Sequence, residues 1–296
     1  MTASTPRATP ALLVTAGAVM ISFAAVFVRL ADVPATTSAF YRLVFGAAAL
    51  ALLLALSPRM RTGFGRGWAG SAVIAAFFTA DLWFWHRSIL YIGPGLSTLL
   101  ANFQVFVLAT VGIVWLKERV GWRFAAGTGL AMIGLWLLFG RDWAGLDAEA
   151  RAGIVLGLLT ACAYAGYLLS LRGFQVRVGA MRPEARLLQV TLICAVFLGA
   201  INFVEGHGFG IPDATSLASL IALGVVCQVL GWLAITRGLP GLPASLVGLL
   251  LLLQPVLSMV WDLAWFELEL VAVQWLGAGL ALAGIYLGMQ SRAARR

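Results

Sequence analysis

Gly127-Thr128-Gly129-Leu130-Ala131-Met132-Ile133-Gly134 and Gly277-Ala278-Gly279-Leu280-Ala281-Leu282-Ala283-Gly284 share five residues in register, 150 positions apart. The correspondence extends upstream. Trp115 matches Trp265, Gln104 matches Gln254, Leu99-Leu100 match Leu249-Leu250, Leu96 matches Leu246, and Arg87 matches Arg237. Residues 87–137 and 237–287 therefore read as two copies of one unit. The earlier parts of the halves correspond at an offset of 143–144, pairing Arg29 with Arg172 and Arg42-Leu43 with Arg186-Leu187.

The medium in which this unit folds follows from composition. With 61% hydrophobic and 11% charged residues and a mean hydropathy of +0.96, the chain has too little charge for a soluble domain. Apolar runs of about 20 residues cross a bilayer. They occur near 11–29, 34–56, 68–91, 94–115, 121–140, 152–171, 186–204, 214–235, 241–263 and 270–290. Short polar or Gly/Pro breaks separate most of them: Asp32-Val33-Pro34, 57–67, Gly93-Pro94, 117–121 and 240–243. The expected fold is an all-α integral membrane protein of ten transmembrane helices, arranged as two inverted five-helix repeats, 1–145 and 146–296. Residues 1–10 are polar with Arg7, and the apolar run that follows is too long for a signal-peptide core, so it is read as the first span.

Direction follows from Arg and Lys. With the N-terminus in the cytoplasm, one side receives fifteen basic residues, among them Arg59, Arg61, Arg66, Lys117, Arg119, Arg182, Arg186 and Arg237. The other receives Arg29, Arg87, Arg141 and Arg151 amid Asp142, Asp147, Glu149, Glu205, Asp213, Glu267 and Glu269. Both termini are then cytoplasmic. The net charge of +8 is accounted for by these loops, so nucleic acid is not an expected partner; the lipid bilayer is. Because five spans is an odd number, equivalent helices of the two halves run in opposite directions. Arg87 then ends span three outside, and Arg237 ends span eight inside. Inverted repeats let one fold open alternately to either side, the organisation of secondary transporters.

Several classes are excluded or disfavoured. No phosphate-binding loop exists and Lys117 is the single lysine, so ATP-driven transport by this chain alone is excluded. The two histidines, His86 and His207, form no metal or catalytic motif, which argues against a membrane enzyme. Cys162, Cys194 and Cys227 lie singly in apolar runs and imply neither a disulfide framework nor a metal site. No cofactor is expected. A channel or a sensor is a further class, but channels are commonly oligomers of short chains and a sensor's soluble output domain is missing. Oligomeric state is not legible.

Ten spans in two halves, an arginine early in span two, and Trp115-Leu116-Lys117-Glu118-Arg119 leading into a Gly-rich span resemble the drug/metabolite transporter superfamily, EamA type. Glu118 sits nine residues before Gly127, as the family's loop glutamate does; the second copy departs, with Leu268 between Glu267 and Glu269. Gln254-Pro255 matches the family's proline-broken ninth helix, where the first copy has Val105. The resemblance implies a small-molecule substrate and a bacterial inner-membrane location. Size and aromatic content are most similar to the aromatic amino acid exporters of the superfamily (the YddG group), which implies export of aromatic or other apolar amino acids; the alternative is uptake, or export of another metabolite or drug by the same fold.

Candidate substrate-binding residues are the polar and aromatic groups inside spans. Asp81 lies mid-span, where a carboxylate costs at least ~2.5 kcal/mol unless it faces a cavity or a partner. It reads as a cavity group and proton carrier, or as a structural partner of Arg42. His86, in Trp83-Phe84-Trp85-His86-Arg87, reads as a carboxylate ligand or titrating group, or as packing. Asn102, Gln104 and Gln254 need partners in hydrocarbon, and Gln104 and Gln254 are repeat mates. Trp83, Tyr164 and Trp232 are candidates for a cavity wall. Ala125/Gly129, Gly277/Ala281 and Gly284/Gly288, spaced four apart, predict close packing of spans five and ten.

Overall fold

A computed structural model describes residues 8–114, 121–140, 143–175, 181–238, 242, 250–267 and 269–293. Outside them lie the 115–119 segment with Lys117 and Glu118, the repeat residues Leu246 and Leu249, Pro240, Pro243 and Leu268. The same is true of Arg7, Arg141, Asp142, Arg177, Arg295 and Arg296.

Among the described residues every regular element is a helix. In hydrocarbon this is forced, because a helix satisfies its own N–H and C=O groups where no water can. In chain order they are α1 (Ala8–Ser22), α2 (Ala24–Leu30), α3 (Ala35–Leu56), α4 (Trp68–Ile92), α5 (Pro94–Ala101), α6 (Gln104–Val114) and α7 (Trp122–Leu135). The second half supplies α8 (Ala148–Gln175), α9 (Pro183–Val204), α10 (Ala214–Ala222), α11 (Trp232–Gly238), α12 (Leu253–Trp265) and α13 (Ala272–Ala293). Leu223–Gly231, between α10 and α11, is a π-helix, and a second π turn, Trp136–Gly140, follows α7.

Eight stretches are long and apolar enough to cross a membrane: Pro10–Leu30, Ala35–Leu56, Trp68–Ile92, Pro94–Val114, Trp122–Phe139, Ala148–Leu171, Pro183–Val204 and Ala214–Gly238. α12 and α13 occupy the ninth and tenth expected places. The described part of α12 is thirteen residues, and the apolar part of α13 is Ala272–Gly288. Large apolar side chains such as Trp122, Phe203 and Val204 are exposed, as a surface facing lipid requires.

Local chemistry sets the ends. Gly67 (φ 70°) precedes α4 and Gly93 (φ 84°) follows it, conformations open to glycine at no steric cost. Pro94 then starts α5, where a missing N–H costs nothing. Asp213 caps α10, its carboxylate accepting from Ser216 N at 2.8 Å.

The packing joins the two halves throughout. α4 lies against α8 and α9; α1 lies against α11, the π segment and α12; α3 lies against α9 and the π segment; α5 lies against α8 and α12. α7 and α13 form a closely fitted pair. A Cβ added at Gly134 would stand 2.5 Å from Ala281 N and Gly277 O. One at Gly284 would stand 2.5 Å from Ala131 N and Gly127 O. Gly127 faces Gly284, and Gly277 faces Gly134, so the two helices run antiparallel with backbone against backbone. The expected close approach of spans five and ten is present, but not on the spacing named for the first copy. Gly129 and Ala125 are exposed, and nothing lies within 4 Å of a Cβ at Gly129. Gly127, Ala131 and Gly134 make the contact instead.

Candidate functional site

Midway along the bundle, α3, α4, α8 and the π segment bring a polar group together. Arg42, the eighth residue of α3, is buried, and its Nε donates to Gln228 Oε1 at 2.9 Å. Its guanidinium lies 5.6 Å from the centre of the Trp85 ring. Asp81 is buried in α4, with Arg42, Tyr164 and Tyr167 near enough to act on it electrostatically. Ion pairs among the described residues are Arg87–Glu205, His207–Glu205 and Arg237–Glu184, so Arg42 and Asp81 do not form a direct pair. Tyr164 stacks on Tyr167 at 5.6 Å, and Tyr167 on Phe78 at 4.9 Å. Trp83, Tyr164 and Trp232 all border this apolar cluster.

His86 is fully buried and meets Trp85 edge-on at 5.4 Å; neither of its ring nitrogens has a hydrogen-bond partner. Gln228 is also fully buried, with its Nε2 unpartnered. Buried polar atoms normally find partners, so these unmet groups make the cluster a candidate for contact with another molecule. The π-helix contributes directly, since its wider turn carries Gln228 against α3, where Gly224 packs 2.8 Å (from its would-be Cβ) from Arg42 O.

Asn102, Gln104 and Gln254 occupy a second region. Asn102 Nδ2 donates to Thr98 O at 2.8 Å within its own helix, not across helices. Span four breaks at Asn102–Phe103, and α6 restarts with Gln104, whose carboxamide oxygen is buried without a partner. α12 likewise starts just after Leu252, with half-buried Gln254 in its first turn and Pro255 where its missing N–H does no harm. No hydrogen bond or ring contact among the described residues links these three to the Asp81 group.

One end of the bundle carries a cluster that the sequence reading treated only as loop charge. Glu205, at the end of α9, accepts from Thr36 Oγ1 at 2.6 Å, from Trp83 Nε1 at 2.9 Å and from Arg87 at 2.6 Å; His207 Nε2 stands 3.5 Å away. Arg87 also stacks over Trp83 at 3.9 Å. Trp83 thus serves this clasp as well as bordering the cluster below. A carboxylate at a helix C-terminus opposes the helix dipole, so its position depends on these donors. Partial burial would raise its pKa, but the hydrogen bonds of Thr36, Trp83 and Arg87 and the charge of Arg87 outweigh that and hold it below the usual range. The carboxylate's contribution to stability is therefore complete above the ordinary glutamate pKa. It disappears as pH falls through the depressed folded value. Glu205→Gln is expected to cost about 1–2 kcal/mol at neutral pH. Thermal unfolding in detergent across pH checks this: the two proteins should converge in acid, and a constant gap would refute the assignment.

Near this end, buried Asp262 of α12 accepts from Gly95 N at 2.8 Å, at the start of α5. Ser258 Oγ lies 3.2 Å from Thr98 Oγ1, and Trp261 Nε1 donates to Ser22 at 2.9 Å while stacking on Phe23 at 4.6 Å. These contacts tie spans one, four and nine together. The opposite end of α9 holds a separate network. Arg186 donates to Ser71 Oγ at 2.9 Å, and Ser71 to Gln189 Oε1 at 2.7 Å. Gln189 Nε2 in turn donates to Arg66 O at 3.0 Å and to Phe64 O. Arg237 approaches Glu184, in the first turn of α9, at 3.9 Å. The repeat mates Arg87 and Arg237 thus bind opposite ends of one 22-residue helix, roughly 30 Å apart.

The chain matches the EamA-like transporter family twice, over residues 8–140 and 151–289. It is 25% identical over 269 residues to the uncharacterized transporter YwfM of Bacillus subtilis, spanning 86% of this chain and 85% of that protein. It is 29% identical over 221 residues to the uncharacterized protein PA1977 of Pseudomonas aeruginosa, covering 73% and 71%. A solved crystal structure superposes with a TM-score of 0.68 at 16% identity, covering 98% of this chain and 99% of that one, which shows a shared fold.

Proposed function

Given that the chain belongs to the EamA-like transporter family, whose pattern it carries in both halves, we propose that it exports amino acids, aromatic or otherwise apolar, across a bacterial inner membrane by alternating access. That it is a multi-pass membrane transporter of small substrates follows from the family and the apolar helices. The observation that carries the finer reading is the buried group of Asp81, Arg42, Gln228 and His86 beside Tyr164, Trp83 and Trp232. It offers a carboxylate, cationic and amide donors and aromatic faces in one apolar bundle. An amino acid presents the complementary set: an ammonium, a carboxylate and an apolar side chain.

The mechanism proposed is a rocking of two inverted five-helix repeats, 1–145 and 146–296, with ten spans and both termini cytoplasmic. Two features support it. Arg87 and Arg237 sit at opposite ends of α9, as mates in inverted halves would. The contacts also pair off when the halves are exchanged: α1 with α11 mirrors α8 with α4, and Gly127 with Gly284 mirrors Gly277 with Gly134. Substrate would occupy a central space lined mainly by spans one, three, four, six, eight and nine, with Asn102, Gln104 and Gln254 at the breaks of spans four and nine. Spans five and ten would stay fixed. Asp81 is the proposed proton carrier if export is coupled. Counterflow in proteoliposomes with a panel of amino acids tests the assignment. Exchange of phenylalanine or leucine is expected, and no exchange with any member would overturn the amino-acid reading.

A further inference from the structure

We propose that Arg42, oriented by Gln228, is the group that binds the anionic substituent of the transported molecule, a carboxylate in an amino acid; this rests on the transporter reading above. A guanidinium carries five N–H donors in a fixed fork. Here Nε is met by Gln228 Oε1 at 2.9 Å, and no other hydrogen bond or ion pair reaches the group among the described residues. The terminal nitrogens make no further hydrogen bond among the described residues, and unlike Gln228 Nε2 they are not sealed off, on a residue that is 5% exposed. A guanidinium so little exposed, with one hydrogen bond, gains from two acceptor oxygens in the plane of the fork.

The repeat supplies an internal comparison. Arg186, the mate of Arg42, is equally buried but donates to Ser71 within a network that continues through Gln189 to the 57–67 loop. Arg186 is held within that network, whereas Arg42 has one hydrogen bond, to Gln228, with Asp81 near but not bridged to it. Around Arg42 the unmet groups are again donors or potential donors, Gln228 Nε2 and the His86 ring. The Trp85 ring lies 5.6 Å from the guanidinium carbon. Gln228 turns its oxygen to Arg42, and its amide nitrogen has no partner among the described residues. Gln228 is thus a positioning residue with one donor of its own.

The test is competition in wild-type proteoliposomes exchanging phenylalanine, using phenylalanine and phenylalaninamide as competitors. Wild type should favour the acid at least about tenfold, the usual size of a charge-assisted hydrogen-bond preference. Arg42→Gln should bring the two within about twofold, and Arg42→Lys should restore part of the preference. Gln228→Leu keeps the guanidinium and guards against a misfolded Arg42 variant; its acid preference should fall about threefold or more. Wild-type exchange with the acid preference intact in Gln228→Leu and in folded Arg42→Gln would overturn this inference and leave the transport reading standing. No exchange by wild type with any amino acid would overturn both.

Discussion

Gly134→Ala and Gly284→Ala are each expected to destabilise the protein by about 3 kcal/mol, and the double variant should fail to reach a monodisperse folded state. The new methyl at either site meets backbone N and O atoms of the facing helix at 2.5 Å, and backbone cannot swing aside as a side-chain tip can. The only relief is to separate α7 from α13, which forfeits the contact along the whole pair. Gly129→Ala and Gly279→Ala are the controls. Both positions are exposed with nothing within 4 Å of the added atom, so they should be neutral or gain up to ~1 kcal/mol from helix propensity. Thermal unfolding in detergent, followed by size-exclusion, distinguishes the two classes. Equal behaviour of all four would mean that α7 and α13 do not pack as described.

Asp81→Asn is expected to lower exchange roughly ten- to hundredfold, the range for losing a charged hydrogen-bond partner of the substrate. The substitution keeps the shape and removes the ability of the group beside Arg42 to ionise. If Asp81 carries a proton during transport, the residual exchange of the variant should no longer respond to an imposed pH difference. Asp81→Glu should retain that response at a reduced rate. Measurement of exchange with and without a pH gradient separates the roles. An unchanged response in Asp81→Asn removes the proton role, and unchanged exchange removes the binding role as well.

Much of this arrangement is legible in the chain because hydrocarbon leaves few choices. Apolar runs fix the helices, the 150-residue offset exposes the duplication, and the glycines announce a close contact. The exact face was not legible. Small residues four apart occur at Ala125/Gly129 and also at Gly127/Ala131, with Gly134 three further on, and only the partner helix selects between them. Gln228 is a polar residue in an apolar run, but a 3.6-residue period cannot place it, because Leu223–Gly231 is wound as a π-helix. Glu205 and Asp262 were missed as structural hubs for another reason. Their partners lie 118–169 residues away in sequence, as in Thr36–Glu205, Arg87–Glu205 and Gly95–Asp262. One chain shows that a carboxylate lies near a span end; it does not show which distant donors converge on it. Asp81 and Arg42 were readable as a pair because a charge inside a span demands an explanation. That they are neighbours without a direct bridge was not.

α9 has a consequence for how motion would be shared. It is a stiff rod with an arginine from the partner repeat position at each tip, gripped at 2.6 Å by Arg87 and held loosely at 3.9 Å by Arg237. A rod of fixed length cannot shorten, so tilting it slackens one tip as it tightens the other. Under the proposed rocking, the Arg87 tip would be the anchored end of this solid member and the Arg237 tip the end that gives first.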